Sequence, residues 1–489
     1  MRITRRDMLG GAACTMLVGT RTASAQPGPP ALSVQIAQAL VSLNRSVVPP
    51  EVRERVGWTI LDGLGVMRFG AGLAAVKPYL GNVAGRVGTP SGSVPAAGLT
   101  LAAENAAAAN AFLIHAAEID DSDLRGQLRA SAVVLPTLLA AAEMADASGE
   151  AFVRALALAY TLQGRLAAAV PVPIQSRGWM ASGVWGPPAA AAGAALLLEL
   201  PPGRIASAMG LAGSDSGGLF QYLFDQTDEK RLIMARAARA AVESVRLAQA
   251  GEAGPPRILE GRAGIYALFA GQPAPDAATL TRDLAGMEGP LFIYPKLYAA
   301  SHSIIPTLDG LAADLPNGFR WQDVESYVVR GDTGWRDTVG TKITDYSPPS
   351  SMIGAMINYG FVVSMFLIRG SVMPGDYAAA MADERIDALA RRGSFEVQPT
   401  PSDLSVEFRM RGGAVHRARA RTPGPRDRAP LDAARRLAKL EALTPDLGRP
   451  ARERLIALCQ GVHRAPSMRA WMRQVTATIR LPGRAGARS

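Results

Sequence analysis

Alanine-rich apolar segments with helical spacing constrain the fold of this chain more than any other feature. Segments such as "PEVRERVGWTILDGLGVMRFGAG" at 50–72 and "RASAVVLPTLLAAAEMAD" at 129–146 repeat apolar residues with helical periodicity and are separated by Gly and Pro. The sequence is 48% hydrophobic but only 6% aromatic, which favours packed Ala, Leu and Val helices over a β-sandwich. We therefore predict a helical domain over residues 31–284.

The sequence pattern changes near residue 285, where strand-like alternation of apolar and polar residues appears. The segments "VESYVVRGDT" at 324–333 and "DLSVEFRMRGGAVHRARA" at 403–420 alternate as strands do, and Gly412-Gly413 is typical of a hairpin turn. Helical periodicity then returns in "PLDAARRLAKLEAL". The predicted class is mainly α: a large all-helical domain, a smaller α+β lid domain at 285–430, and C-terminal helices at 431–489 that return to the helical domain.

The first 25 residues have the three parts of an export signal. Arg5 and Arg6 precede an apolar run at 8–18, and small residues at 23–25 form a cleavage site. We predict twin-arginine export to the periplasm, with no integral membrane segment after processing. A membrane anchor is the alternative, but the run is shorter than the roughly 20 residues a helix needs to span a bilayer. Cys459 would then be the only cysteine, which excludes an intramolecular disulfide.

The charge of the chain favours an anionic small-molecule partner over nucleic acid. The net charge is +10, but the arginines are scattered, and the densest cluster, at 417–428, has no aromatic residues on which bases could stack. We therefore predict no nucleic-acid partner. A positive field attracts anionic small substrates.

Familiar catalytic signatures are absent from the sequence. Four widely spaced histidines with so few cysteines do not form the ligand pattern of a metal site, so we predict none. The glycine-rich stretch at 210–218 follows a helix and lacks the Lys-Ser/Thr ending of a phosphate loop. No Gly-x-Ser-x-Gly elbow of a serine hydrolase occurs.

A run of carboxylates is the most unusual chemical feature. Glu118, Asp120, Asp121 and Asp123 fall within 118–123, directly after an apolar helical segment. Acidic residues at a helix end commonly cap free amides, so Asp121 has a structural alternative. His115, on the alanine-rich segment, is interpreted as a packed, hydrogen-bonded histidine.

Five segments in order together resemble the MmgE/PrpD family, over about residues 35–445. They are "NAFLIHAAEIDDSDLRGQLRASAVVLPTLLAAAE", "RGWMASGVWGPPAAAAGAALLLEL", "ASAMGLAGSDSGGLFQYLFDQTDEKRLIMARAARAAV", "KLYAASHSIIPTLDGL" and "PLDAARRLAKLEAL". The resemblance implies a large helical domain with a smaller α+β lid, a homodimer, and a site between the domains. It also implies dehydratase, decarboxylase or epimerase chemistry on a small carboxylic acid, without metal or nucleotide cofactor.

The resemblance also implies site residues. Removing a proton beside a carboxylate requires a base, cations that hold the developing charge, and an acid for the leaving group. The residues that match family positions in catalytic roles are Asp121, Ser122, Lys230, His302 and Tyr359, and those in substrate-binding roles are Glu118, Arg231 and Lys296. We expect Asp121, Ser122, Lys230 and His302 to surround one cavity, with the carboxylates at its mouth.

Two positions depart from the family pattern. Arg129 and Met180 stand where the family has histidines, and histidine is the side chain that exchanges protons near neutral pH. We expect both residues to line the cavity and bind substrate. Either another acid or base has taken over, or the substrate has changed, or the site binds without turnover.

Purely structural roles remain possible alternatives for the other predicted site residues. Lys230 and Arg231 could form a solvated helix start, His302 could belong to a helix cap, and Tyr359 could be a core residue. Two functions are therefore carried forward: a cofactor-independent lyase or isomerase, and a catalytically silent relative that binds a ligand or partner.

Overall fold

Helices account for most of the structure, which confirms the predicted mainly α class. The computed structural model describes residues 29–170, 172, 174–225, 227–336, 341–400, 403–421, 427–430 and 432–482. The predicted export signal at 1–25 lies outside the described residues.

The first part of the chain forms helices joined mainly by short connections. They are α1 (Leu32–Leu43), α2 (Pro50–Gly72), α3 (Lys77–Ala84), α4 (Ala103–Ile114), α5 (Ala130–Ala145), α6 (Gly149–Ala168), α7 (Ala181–Leu197), α8 (Pro202–Ser214), α9 (Gln221–Asp225), α10 (Lys230–Ala250) and α11 (Ala277–Thr281). All residues of α7 are buried, and α7 packs against α5, α6, α8 and α10. Its alanines and glycines let the neighbouring backbones approach closely, which explains the alanine-rich pattern of the sequence.

Prolines inside α7 leave two helix carbonyls without intrahelical donors. The prolines at 187–188 have no N–H, so the carbonyls of Gly183 and Val184, four residues earlier, lose their helical partners. The N–H of Gly217 donates to Gly183 O at 3.0 Å, and the hydroxyl of Ser216 donates to Val184 O at 3.0 Å. The glycine-rich loop after α8 therefore completes the hydrogen bonding of α7.

Replacing Ser216 with alanine tests this role. The Ser216→Ala variant should lose about 1–3 kcal/mol of unfolding free energy, because the carbonyl of the buried residue Val184 is left unsatisfied. Ser207→Ala is the matched control, since the Ser207 hydroxyl bonds only a carbonyl of its own helix, one turn earlier. Urea unfolding of both variants measures the difference, and equal stabilities would contradict the assignment.

The second part of the chain combines short helices with a sheet. The helices are α12 (Ile305–Asp314), α13 (Thr333–Trp335), α14 (Thr341–Thr344), α15 (Met352–Ile357), α16 (Tyr359–Arg369), α17 (Tyr377–Met381) and α18 (Glu384–Ala390), followed by the C-terminal α19 (Ala433–Leu443), α20 (Arg449–Gln460) and α21 (Met468–Ile479). The strands are β1 (Gly92–Val94), β2 (Leu99–Leu101), β3 (Ser122–Asp123), β4 (Ile293–Tyr294), β5 (Val324–Gly331), β6 (Gly393–Val397), β7 (Ser405–Met410) and β8 (Val415–Arg419).

The main sheet has the strand order β6-β5-β7-β8. β5 pairs in parallel with β6, whereas the β5–β7 and β7–β8 pairs are antiparallel. The predicted hairpin between β7 and β8 is confirmed: Gly413 has φ +84°, a left-handed conformation that glycine adopts readily. Two small antiparallel pairs, β1–β2 and β3–β4, lie outside this sheet.

Buried apolar side chains form two clusters. One contains most of the helices before residue 293 together with residues of α20 and α21, such as Leu455 and Trp471. The other surrounds the sheet and contains Tyr327, Phe361 and Phe408. The helix α19 packs against α2. The boundaries of a separate lid domain stay a prediction, since the chain from Ala31 onwards groups as one unit.

Among the described residues, no single helix has both the length and the apolar character needed to cross a bilayer. One sharply bent pair, Pro50–Gly72 with Ala74–Ala84, reaches the required composition when both helices are taken together.

Candidate active site

The acidic stretch follows α4 through a tight turn. Residues His115–Ala117 form a 3₁₀ turn, and Glu118 then has φ +51°, an uncommon conformation for a residue other than glycine. The chain continues into β3, where Ser122 pairs with Tyr294 of β4. This pairing brings the segment that follows β4, which contains Lys296, next to the acidic stretch.

The four carboxylates are buried beneath the surface and do not stand at the mouth of a cleft. None of the four residues is more than 2% exposed, which corrects the expectation from the sequence. A buried carboxylate requires a hydrogen-bonding or charged partner, and each has its own. The pairs are Glu118 with Lys230, Asp120 with His115, Asp121 with Ser131, and Asp123 with Arg125.

Glu118 connects two lysines that are distant in sequence. Its Oε1 accepts a hydrogen bond from Lys230, the first residue of α10. Lys296 Nζ lies 3.5 Å from its Oε2 and donates to its backbone carbonyl at 3.0 Å. Burial opposes ionisation of Glu118, but Lys230 and Lys296 hold the pKa of this carboxyl well below its usual range. Glu118 is therefore a buried anion shared by two ammonium groups.

His115 and Asp120 form a second buried pair beside Glu118. The Nδ1 of His115 lies 2.7 Å from Asp120 Oδ2, as expected for a packed, hydrogen-bonded histidine. Burial lowers the pKa of His115 despite the neighbouring carboxylates. The ligand atoms of His115, Glu118 and Asp120 lie within 4.8 Å of one another, close enough to hold a metal ion. The carboxylate of Glu118 already binds ammonium groups, however, so we interpret the group as a charge network.

Asp121 caps α5 and makes no ion pair with a cation among the described residues. It accepts hydrogen bonds from the backbone N–H of Ser131, at 2.9 Å, and from the Ser131 hydroxyl. That hydroxyl also lies 2.7 Å from the hydroxyl of Tyr160. Burial raises the pKa of Asp121 to about 7, although the bonds from Ser131 oppose the shift. These contacts match the capping alternative for Asp121.

The raised pKa of Asp121 predicts a pH dependence of stability. Between about pH 4 and pH 7 the native state holds a proton that the unfolded state has released, so stability should fall as pH rises through this window. Asp121→Asn should abolish this contribution, which is on the order of 4 kcal/mol for a shift of about three pKa units.

Urea unfolding of wild type and variant at pH 4.5 and pH 7.5 measures the effect. Asp215→Asn is the control, because Asp215 is exposed in the native state and its carboxylate meets water in both states. A stability difference between Asp121→Asn and wild type that is the same at both pH values would contradict the assignment.

A cavity of about 240 Å³ lies beside the acidic stretch. Three of the predicted site residues line it: Ser122, Lys296 and His302. Ser122 comes from β3, Lys296 follows β4, and His302 precedes α12. The structure therefore brings together residues up to 180 positions apart in the chain.

Arg129 contacts the cavity residue Ser122 through a hydrogen bond. Its Nη1 donates to Ser122 Oγ at 3.0 Å, and its backbone N–H donates to Ser182 Oγ at 2.6 Å. The side chain is buried, and its Nε has no hydrogen-bond partner among the described residues. A cation thus stands where the resemblance leads one to expect an imidazole.

Burial and the neighbouring cations lower the pKa values of the two titratable residues Lys296 and His302 in the cavity wall. Burial lowers the pKa of Lys296 to about 7, with Arg129 acting in the same direction and Glu118 opposing. Burial, Arg129 and Lys296 hold the pKa of His302 well below its usual range. The Nδ1 of His302 is shielded and has no hydrogen-bond partner among the described residues. At neutral pH the wall thus holds a neutral imidazole and a lysine that can exchange its proton.

Two other predicted catalytic residues do not line the cavity. Lys230 reaches the site only through its ion pair with Glu118, and burial lowers its pKa. Tyr359 is a core residue whose hydroxyl donates to Thr307 Oγ1 at 2.9 Å. Because Asp121 and Lys230 do not line the cavity, the expected convergence of four residues is limited to Ser122 and His302.

Of the five predicted substrate-binding residues, only Lys296 lines the cavity. Arg129, contrary to the expectation from the sequence, lies outside the lining, as do Glu118, Met180 and Arg231. Met180 is buried, and its sulfur accepts a hydrogen bond from Tyr222 at 3.7 Å. Arg231 pairs with Asp228, and its guanidinium carbon lies 5.4 Å from the centre of the Phe112 ring. Arg231 thus contacts the turn before α10 and the ring of Phe112 in α4, and Met180 contacts Tyr222 of α9.

Sequence reasoning missed the charged residues that α12 and the C-terminal region add to the cavity. These are Asp309, Arg421, Asp432, Arg435 and Arg436. The only signal was the Arg435-Arg436 pair on a helix with one apolar face, a pattern that also fits a solvated surface. Nothing in the sequence indicated that this helix would border the cavity.

Comparison with known proteins now identifies the class. Residues 34–278 match the family model described as MmgE/PrpD N-terminal domain, and the chain belongs to the MmgE/PrpD family. The matched region contains Glu118, Ser122 and Arg129, whereas Lys296 and His302 lie beyond it.

Individual relatives are more distant. The chain is 29% identical over 241 residues to the cis-aconitate decarboxylase-like protein oryM of Aspergillus oryzae, an alignment that covers 47% of this chain and 49% of the relative. It is 24% identical over 392 residues to a cis-aconitate decarboxylase of Aspergillus terreus, covering 76% of this chain and 78% of the relative. The chain thus spans about half the length of the first relative.

Proposed function

We propose that this protein is a cofactor-independent lyase that acts on a small carboxylic acid in the cavity beside Ser122, Lys296 and His302. The observation that carries the proposal is the buried Lys296 in the cavity wall, whose pKa is lowered to about 7. A group with a pKa near the working pH is the most effective general acid or base. Membership of the MmgE/PrpD family supports the same class of activity.

The cavity wall offers the parts that such a reaction requires. The hydroxyl of Ser122, held by Arg129 at 3.0 Å, and protonated Lys296 bind the substrate carboxylate. Donors already in place when charge develops on the substrate stabilise the transition state by roughly 3–4 kcal/mol each. His302, a neutral imidazole in the cavity wall, takes a proton at one ring nitrogen and returns one from the other.

Decarboxylation is the reaction that we favour among lyase types. The two relatives described above are named for cis-aconitate decarboxylase. In this reaction the bond between the carboxylate carbon and its neighbour breaks, CO₂ leaves, and the electron pair stays on the neighbouring carbon skeleton. A proton from protonated Lys296, delivered directly or relayed through the neutral His302 ring, then neutralises that carbon. Dehydration and epimerisation, the remaining reaction types, would use the same proton-transfer groups on a hydroxyl or an α-carbon.

A catalytically silent binding protein is the second candidate. It is favoured by Arg129 and Met180, which stand at positions where the resemblance implies imidazoles. Arg129 cannot act as a general base because its guanidinium remains protonated. In this case the same cavity would bind an anionic ligand without turnover.

Turnover assays with active-site variants test the proposal. Wild-type protein is incubated with small unsaturated and hydroxylated carboxylic acids, including cis-aconitate, while ¹H NMR follows the products and a coupled assay follows CO₂. Lys296→Met and His302→Ala should each lower kcat by about 10²–10⁴-fold, the usual contribution of a general acid or base. Lys77→Met, at an exposed position of α3, is the control.

The pH profile gives a second readout. Wild-type kcat should change near pH 7, where Lys296 changes its charge, and Lys296→Met should lose this inflection. Wild-type rates in both cavity variants would reject the mechanism. Ligand binding without turnover of any tested acid would favour the silent relative.

We also propose that the protein works in the periplasm, after twin-arginine export, and as a homodimer. Arg5-Arg6 and the small residues at 23–25 support export. N-terminal sequencing of protein from the native periplasm should begin near Gln26, and a chain that still begins at Met1 would contradict this. Size-exclusion chromatography with light scattering should give the mass of two chains.

A further inference from the structure

The C-terminal helix α19 contacts the acidic stretch through a buried lysine. Lys439 is 4% exposed. Its Nζ donates to the backbone carbonyl of Ile119 at 2.7 Å and forms an ion pair with Asp62 of α2 at 2.6 Å. Because a buried ammonium requires such partners, Lys439 connects α19 and α2 to a turn 320 positions earlier in the chain.

Two successive carbonyls of the acidic stretch accept hydrogen bonds from buried lysines. Lys296 donates to the carbonyl of Glu118 at 3.0 Å, and Lys439 donates to the next carbonyl, that of Ile119. Glu118 itself has φ +51°, a left-handed conformation that residues other than glycine keep only where surrounding contacts hold it. The two lysines supply such contacts from two separate elements, the segment after β4 and the helix α19.

We propose that Lys439 is a positioning residue for Lys296: through the carbonyl of Ile119 it holds Glu118 beside the Lys296 ammonium. This inference rests on the proposed function, in which Lys296 exchanges protons with the substrate. Glu118 Oε2 lies 3.5 Å from Lys296 Nζ, so a small displacement of the turn would break this contact. A misplacement of about 1 Å near the reacting groups can lower a rate by roughly 10²-fold.

Docking of α19 on α2 is the competing explanation, because the ion pair of Lys439 with Asp62 also joins these two helices. A second ion pair in the same region separates the two roles. Arg68 of α2, 3% exposed, binds Asp446 just after α19 through two contacts, at 2.6 and 3.0 Å. Among the described residues, neither Arg68 nor Asp446 forms a hydrogen bond with the acidic stretch. Arg68→Met is therefore the matched control for Lys439→Met.

Labelling of Lys296 decides between these explanations without the need for a substrate. Cyanate carbamylates the neutral form of an amine, so the pH midpoint of labelling reports the pKa of the lysine. Peptide mass spectrometry follows Lys296 in the full chain from pH 5 to pH 9. The variants are Lys439→Met, which removes the ammonium, Lys439→Arg, which keeps a charged donor, and Arg68→Met. The turnover assay gives kcat for each of them.

The direction of the shift is specific to the inference. The midpoint should lie near pH 7 in wild type and in Arg68→Met. In Lys439→Met it should fall by about one unit, because the Glu118 carboxylate that raises the pKa of Lys296 moves away. Loss of the Lys439 charge alone would shift the midpoint upward. The other charged groups that act on Lys296 are the same in all variants: Arg129, Lys230 and Asp120.

The rate should follow the midpoint. We expect kcat of Lys439→Met to be about ten- to a hundredfold lower than in wild type, whereas Lys439→Arg should stay close to wild type in both readouts. A wild-type midpoint in folded Lys439→Met, or an equal shift in Arg68→Met, would overturn the inference. If Lys439→Met does not fold, Asp62→Asn takes its place, with a smaller fall of the midpoint expected and an unchanged midpoint as the contradicting result.

The two readouts separate this inference from the proposed function. A lowered midpoint in Lys439→Met, in a protein that turns over no tested acid, would support the positioning role and reject the lyase. Turnover by wild type, with the same kcat and midpoint in Lys439→Met, would support the lyase and reject the positioning role.

Discussion

The contact of Glu118 with Lys230 and Lys296 is the interaction on which the rest of the site depends. It ties the end of α4 to the start of α10 and to the segment after β4. Breaking one side of a buried ion pair leaves an uncompensated charge, which costs several kcal/mol. The network therefore fixes the relative positions of these three segments. Burial, reinforced by Arg129, leaves Lys296 close to losing its proton, although Glu118 opposes this shift of the lysine pKa.

Much of the fold could be predicted, because helix and strand periodicities are local properties of the sequence. The hairpin at Gly412-Gly413 and the alanine-rich helices needed no knowledge of distant contacts. The site could be predicted only in part. Ser122, the first residue of β3, lines the cavity, whereas Asp121, directly before β3, caps α5. The motif that located both residues could not separate their roles, since the decision depends on how β3 pairs with β4.

The position of Arg436 could not be predicted for a different reason. Its helix has an ordinary amphipathic pattern, and only the packing of α19 against α2 turns Arg436 towards the cavity. For Arg129, the sequence showed that an arginine replaces a family histidine. It did not show how that arginine affects the pKa values of its neighbours. Burial lowers the pKa values of both Lys296 and His302, and the Arg129 guanidinium adds to both shifts. In the proposed enzyme, a lysine thus provides the proton exchange for which imidazoles are suited in the family pattern.

The two prolines of α7 affect when this helix can fold during protein synthesis. A helix with consecutive internal prolines cannot complete its own hydrogen bonds, and the hydroxyl that pairs with Val184 comes from Ser216, 32 residues later. During synthesis, α7 would leave the ribosome with open carbonyls until the loop after α8 had also emerged. The central helix of the body and this loop should therefore fold as one cooperative unit, late relative to the helices that precede them.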